Sequence, residues 1–357
     1  MKKILLLYPD MLFYKVSIFN KLCVFLETQG YTLLIWYKNI NDPNNQCMFN
    51  HIGISKMTLK NYIRIIKENN IDIVINTLNK RAPGVFFYYS SILIAKFLQL
   101  RVIYYGHGTN LQENQCWRNF FHNFTYILFD GIILYSPVEK KKLWRIFHHK
   151  ITIAYNTLDL TDIQIHKTKE FLKSQYNINE PKVILTTGRL QPRKRIDILS
   201  DIFVAKFKNS PEVGWILVGS ELSEEISTAI KDIKNIYYLG PIYQKEKMAE
   251  IFLLSDLYCI PGALGLGIVE AIYWGLPVLT MNVKHGPEFY YLKNGFNSFI
   301  ARDRKEMELM LDELIFNDEK RLSLSKNAKQ IYNSEASLER MFEGFILQLE
   351  RFYKVQY

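Results

Sequence analysis

Cysteine is scarce in this sequence. Cys23, Cys47, Cys116 and Cys259 stand far apart with no Cys-x-x-Cys pair, which argues against a zinc site and gives no disulfide framework. A reducing cytoplasm is the expected compartment. Clusters of His, Cys, Asp and Glu at metal-ligand spacing are lacking as well, so neither a metal nor a resident cofactor is expected. Long hydrophobic runs are absent. The most apolar stretch, residues 84–100 (GVFFYYSSILIAKFLQL), is interrupted by Lys96 and is short for a bilayer span. It predicts a buried core helix, with a monotopic helix as the alternative. The apolar run near Met1 covers only about five residues and lacks a small-residue cleavage site, so it predicts a first strand rather than a leader. No low-complexity or collagen-like tract is present.

What is present is an ordinary globular balance, 48% hydrophobic and 22% charged, in 357 residues. That length suggests two domains. The formal net charge of +10 favours phosphate, nucleic acid or anionic lipid as partners. No helix-turn-helix or RNP-type pattern supports nucleic acid. The densest basic cluster, residues 139–150 (EKKKLWRIFHHK), interleaves Lys140, Lys141, Lys142, Arg145 and Lys150 with Leu143, Trp144, Ile146 and Phe147. It predicts a basic amphipathic helix, either lying on a membrane surface or presenting a solvated face.

Short apolar strands alternate with helix-length segments along the whole chain. KILLLYP, YTLLIWY, IDIVINT, RVIYYGHG, GIILYS and KITIAYN read as strands of the first half, and KVILTTG, VGWILVG, NIYYLG, LYCIPG, PVLTM and SFIA as strands of the second. Between the strands of the first half, residues 14–28, 59–69, 83–98, 116–129 and 137–147 read as helices. Continuous apolar strands with intervening helices imply parallel sheets covered on both faces. The expected fold class is α/β, two Rossmann-like domains facing across a cleft. A lysine-rich polar stretch near residues 159–181 separates the halves. It places an N-terminal domain at 1–165 and a C-terminal domain at 166–337, with helix 338–357 returning to the first. Ligands of such domains sit at the C-terminal ends of the strands.

Two strand ends in the second half carry chemistry. In TTGRLQPRKRIDIL a strand ends at Gly188, and Arg189 and Lys194 flank a short loop before a helix begins near Ile196. A helix N-terminus offers free amides and partial positive charge. With a guanidinium and an ammonium added, this suits a diphosphate; a solvated basic turn is the bland alternative. In PGALGLGIVEA, Gly262, Gly265 and Gly267 precede a second helix, and Glu270 sits about one turn inside it. Glycines let amides approach a ligand closely, and a carboxylate there can accept from two vicinal ribose hydroxyls. Two such turns in one domain argue for a nucleotide more strongly than either alone.

These motifs together resemble the retaining glycosyltransferases of family four, the glycosyl transferases group 1, whose two-domain fold is called GT-B. Gly188-Arg189-Leu190 with Lys194 matches the family's Gly-Arg-Leu loop, and Gly265-Leu266, Glu270-Ala271 and Gly275-Leu276-Pro277-Val278 match its second pattern. HGPEFYYLKNGFNSFIA, with Pro287-Glu288 and Asn294-Gly295, resembles the segment that follows. The match covers most of residues 182–301. NTLD (156–159) and YYGHGTN, which contains His107, match more loosely.

The resemblance implies catalytic roles for His107, Arg189 and Lys194. It implies donor nucleotide-sugar binding by Gly188, Arg189, Lys194, Gly262, Ala263, Leu264, Gly265, Leu266 and Glu270. Arg189 and Lys194 would hold the diphosphate, Glu270 the ribose, and His107 would lie beside the sugar. The sequence departs from the family at one place. Eight residues before Glu270 the family has a glutamate that contacts the donor sugar; here it is Gly262. The expected partners are a nucleotide-sugar donor, a glycan or lipid-linked acceptor and an anionic membrane surface, with no nucleic acid. A binding protein without transfer, or a nucleotide-sugar epimerase of the same fold, are the alternatives.

Overall fold

The computed structural model describes residues 1–40, 47–52, 56–78, 84–108, 120 and 123–352. It divides into two compact units, Met1–Asp159 with Leu338–Tyr357 and Leu160–Ser337. The division thus falls between Asp159 and Leu160 rather than between 165 and 166. Asp159 is tied into the first unit: its buried carboxylate takes Lys21 Nζ at 2.9 Å.

The first unit is built on β1 (Lys2–Leu7), β3 (Tyr31–Trp36), β5 (His51–Ile52), β6 (Ile73–Asn76), β7 (Arg101–Gly106), β8 (Gly131–Leu134) and β9 (Ile151–Ile153). Their order across the sheet is β5-β3-β1-β6-β7-β8-β9, and each pairing is parallel. β1 shows why the strand is apolar throughout. Ile4 and Leu6 enter one core layer with Phe19, Leu22 and Ile35, while Leu5 and Leu7 enter the opposite layer with Trp36 and Tyr62. A period-two backbone buried on both faces has no side for polar residues.

The helix Leu338–Glu350 belongs to this unit. Met341, Phe342, Phe345 and Leu349 join the layer of Phe19 and Leu22. Gly344 permits the approach, because a Cβ there would meet Ile153 O at 2.1 Å. Residues 353–357 of the expected helix lie outside the described residues.

The second unit holds β10 (Lys182–Thr187), β11 (Val213–Val218), β12 (Ile236–Tyr238), β13 (Leu257–Cys259), β14 (Val278–Met281) and β15 (Ser298–Ala301). Their order is β12-β11-β10-β13-β14-β15, again all parallel. The winding reverses between β10 and β13. Crevices at such reversals are where doubly wound sheets bind ligands.

Several expectations are corrected. Residues 139–150 are not one helix. An α-helix covers Pro137–Lys140 and a 3-10 helix covers Arg145–Lys150. Trp144 is extended between them, at φ −58° and ψ 137°, and its N–H goes to Asn123 Oδ1 at 2.9 Å rather than back along a helix. Residues 84–100 form the helix Val85–Phe97, but only Phe87, Tyr88, Ser91, Ile92 and Ala95 are buried. Residues 287–292, which the sequence reads as a helix, hold only a 3-10 turn over Pro287–Tyr291. β5 and the two-residue ladder of β2 (Asp10–Met11) with β4 (Asn39–Ile40) have no counterpart in the sequence reading, being too short to show periodicity. Of the helix expected at 116–129, Cys116 and His122 lie outside the described residues. No helix among the described residues is long and apolar enough to cross a membrane.

Candidate active site

The site candidates of the second unit cluster at the reversal between β10 and β13. Side-chain bonds fasten the two strand ends. Thr186 Oγ1 donates to Cys259 O at 2.7 Å and accepts from Trp215 Nε1 at 3.0 Å, and the Thr187 and Tyr258 hydroxyls lie 3.1 Å apart. From β10 the chain turns through Gly188 into a loop whose backbone curls back under β13. Gly262 N donates to Lys194 O and Ala263 N to Arg193 O, both at 2.8 Å.

That contact accounts for Gly262. A Cβ at this position would meet Arg193 O at 2.2 Å and Lys194 C at 2.5 Å. The backbones of the two loops meet where the related pattern carries a glutamate, so no side chain fits unless residues 193–194 move. The other side of the glycine turn is clamped as well. Leu264 N donates to His285 Nδ1 at 3.2 Å, His285 Nε2 donates to Met281 O at 2.9 Å, and Gly286 N donates to Leu264 O at 3.0 Å. His285 is thereby a neutral tautomer, consistent with burial that lowers its pKa. Between the clamps, the amides of Gly265 and Leu266 donate to no partner among the described residues. They precede the helix Gly267–Trp274, where the helix dipole favours an anion.

The charges around this turn are poised for an absent counter-charge. Lys194 is buried, and its Nζ donates to Thr187 O at 3.3 Å. Desolvation first, then the neighbouring Arg193 and Arg189 charges, bring its pKa down to about 8. Arg189 is exposed and makes no hydrogen bond or ion pair among the described residues. Glu270, half-buried on the first turn of its helix, likewise has no partner among them, and desolvation pushes its pKa up to about 7. Cations that repel one another at a helix N-terminus are stabilised by a phosphate. A carboxylate without a partner a turn away can accept from hydroxyl groups.

His107 lies in the first unit, just past β7. Its Nδ1 donates to Glu139 Oε1 at 3.0 Å, and its ring meets Tyr135 edge-on at 4.6 Å. Glu139 also accepts Tyr135 N and Ser136 N on Oε2, and burial raises its pKa. The carboxylate fixes the imidazole so that Nε2 is the ring nitrogen left for other chemistry. Thr109 and Asn110 of the same motif lie outside the described residues. Glu139 and His285 are the polar residues that the sequence reading did not single out. Glu139 had a signal: Ser136-Pro137-Val138-Glu139 is a capping-box spacing. Among the described residues no group of three or more His, Cys, Asp or Glu is placed to hold a metal.

Two doubly wound units, one with cations, glycine amides and a lone carboxylate at its winding reversal, define a protein of the GT-B class. Residues 168–331 match the family described as Glycosyl transferases group 1; the matched stretch is a domain of that family, and the chain is a glycosyltransferase. It is 20% identical over 351 residues to the poly(ribitol-phosphate) alpha-N-acetylglucosaminyltransferase of Staphylococcus aureus, covering 91% of this chain and 67% of that one. Among solved structures, a glycosyltransferase from Rickettsia africae superposes with a TM-score of 0.76 at 17% identity, over 99% of each chain. HepE of Anabaena, in complex with UDP and glucose, superposes with a TM-score of 0.71 at 16% identity, over 98% of this chain and 100% of that one. At such identities the superpositions establish the fold.

Proposed function

We propose that the enzyme is a retaining glycosyltransferase. It takes a sugar from a nucleoside diphosphate sugar and places it on a hydroxyl of a glycan or lipid-linked glycan, in the building of a cell-envelope polysaccharide. The observation that carries this reading is the set of groups at the reversal of the second unit that have no partner among the described residues, Arg189, the Gly265 and Leu266 amides and Glu270, beside the desolvated Lys194.

Each group has a task. Glu270 accepts from the ribose hydroxyls. Arg189, Lys194 and the loop amides hold the diphosphate. When the bond between the anomeric carbon and the phosphate oxygen breaks, the electron pair leaves with the diphosphate, and fixed cations stabilise the charge that develops. The acceptor oxygen bonds to the anomeric carbon and its proton leaves with the diphosphate. His107, held by Glu139, offers Nε2 as the candidate catalytic group of the first unit. These fixed cations supply the positive charge that a divalent ion would otherwise bring to a leaving diphosphate.

The related Staphylococcus aureus enzyme is named for an alpha linkage on a poly(ribitol-phosphate) acceptor. An alpha product from an alpha-linked donor is retention, and a poly(ribitol-phosphate) is a polymeric acceptor that offers hydroxyl groups. The HepE complex with UDP and glucose supports a uridine donor. The test is a donor panel incubated with short glycan acceptors, with released nucleoside diphosphate measured and the product anomer read by NMR. Release that depends on acceptor, with the donor's anomeric configuration kept, is the expected result. An inverted product would remove the retaining assignment. Donor hydrolysis alone, indifferent to every acceptor, would remove the transfer assignment.

A further inference from the structure

The first unit leaves a set of large apolar side chains uncovered. On the helix Val85–Phe97, Phe86, Leu93 and Phe97 are exposed, Phe86 at 77% and Phe97 at 87%. Spacings of seven and four residues put the three on one stripe. Phe124, Ile127 and Ile146 are exposed too, Ile146 at 69%. These residues come from segments that touch. Tyr89 on the helix shares a side-chain hydrogen bond with Thr125, Trp144 N donates to Asn123 Oδ1, and Phe124 meets Trp144 edge-on at 5.1 Å.

Among the described residues, the exposed charge beside these side chains is basic. Lys141, Lys142 and Arg145 are exposed beside Ile146. Residues 84–150 hold eight Lys and Arg against three Asp and Glu. Two of those acids are occupied within the fold, Asp130 by Lys96 at 2.6 Å and Arg101 at 3.7 Å, and Glu139 by His107.

We propose that this face seats the protein on an anionic lipid bilayer, with the stripe Phe86, Leu93 and Phe97, together with Ile146, sunk into the interface and Lys141, Lys142 and Arg145 against the headgroups. The helix is 13 residues long, about 20 Å, against a hydrocarbon core of about 30 Å, so it lies in the interface rather than spanning it. Apolar burial and attraction to anionic headgroups act together in such binding. A second copy of the chain is a poorer occupant. A two-fold contact would press Lys141, Lys142 and Arg145 against the same three residues. The inference stands apart from the donor and acceptor assignments, because none of these residues belongs to the nucleotide site.

The test is flotation of the full-length enzyme with vesicles of phosphatidylcholine alone and of phosphatidylcholine mixed with phosphatidylglycerol. It is run on the wild type, on Phe86→Ser/Leu93→Ser/Phe97→Ser and on Lys141→Glu/Lys142→Glu/Arg145→Glu, with light scattering on each. Wild type should float with the anionic vesicles and lose binding as salt rises. The charge-reversed variant should bind them on the order of 10²-fold less tightly, and the serine variant should fail on both vesicle types. Both variants should keep the wild-type melting temperature and nucleotide-induced stabilisation. Wild type that stays unbound on anionic vesicles overturns the proposal. So do variants that float like wild type, and a concentration-dependent dimer that the serine variant abolishes while vesicles bind none of the three.

Discussion

The two units wind their sheets in the same order around the first strand, yet their winding reversals are chemically opposite. In the first unit, polar groups near the reversal between β1 and β6 are consumed internally. Lys15 is buried with Nζ on Asn156 Oδ1 at 2.8 Å. Asn76 donates to Ser91 Oγ at 3.1 Å and accepts Leu78 N at 2.8 Å. In the second unit, Arg189 and Glu270 have no partner among the described residues, and Lys194 is desolvated beside other cations. One topology thus provides a place for a ligand twice. The nucleotide site proposed above is at the reversal where the side chains are left unsatisfied.

Replacing charge at the two reversals should therefore do opposite things. Arg189→Ala should lower turnover about 10²–10³-fold, the scale for removing one preorganised donor to developing charge, with the melting temperature unchanged. Lys15→Met should leave the nucleotide dissociation constant within about twofold while costing about 1–3 kcal/mol of stability, because Asn156 loses a buried charged partner. Denaturant melts and steady-state kinetics on both variants separate the effects. Equal loss of stability in the two would erase the contrast.

Gly262→Glu sharpens the comparison within the second unit. If the glycine were merely a lost sugar ligand, glutamate would add a contact. The close approach of Arg193 O instead predicts a destabilisation of about 1–3 kcal/mol from overpacking and weaker donor binding, as the loop carrying Lys194 is pushed away. A variant as stable as wild type with higher turnover would overturn this account of Gly262.

The smallest effect is in pH. Lys194 is charged below its pKa of about 8, so nucleoside diphosphate affinity should fall as pH climbs above 8, with proton uptake on binding. Glu270 is ionised above about 7, and its acceptor strength should fade below that. Affinity should peak between pH 7 and 8 and decline a few-fold on each side. Glu270→Gln should remove the acidic limb, leaving only the titration of the phosphate itself near pH ~6. An acidic limb unchanged in that variant would show that Glu270 does not face the ligand.

The sequence made the sheets legible because strands buried on both faces read as unbroken apolar runs, as in KILLLYP and KVILTTG. It made the basic and glycine loops legible as candidates because two such turns stand at strand ends of one domain, where either alone could be an ordinary turn. It hid what depends on contacts between distant segments. The steric reason for Gly262 lies in the carbonyl of Arg193, and the orientation of His107 lies in Glu139, both remote in the chain. Residues 139–150 misled for the same cause. Leu143 and Phe147 are four apart and buried as a helix would bury them, but Asn123 captures the Trp144 amide and the helix ends early. The exposed stripe on Val85–Phe97 was only partly legible, because a largely apolar helix reads as core whether or not anything covers it, and a monotopic helix stood only as the alternative.

The most direct measurement is calorimetric titration of UDP, GDP, ADP and TDP into the wild type and Arg189→Ala at pH 7.5 (about midway between the two pKa values). The account predicts that at least one nucleoside diphosphate binds the wild type. It also predicts that Arg189→Ala binds the same nucleotide at least about tenfold more weakly, as loss of a charged hydrogen bond requires, with folding intact. No binding to the wild type at millimolar nucleotide, or equal binding to both proteins, would contradict the assignment of the second unit's winding reversal as the donor site.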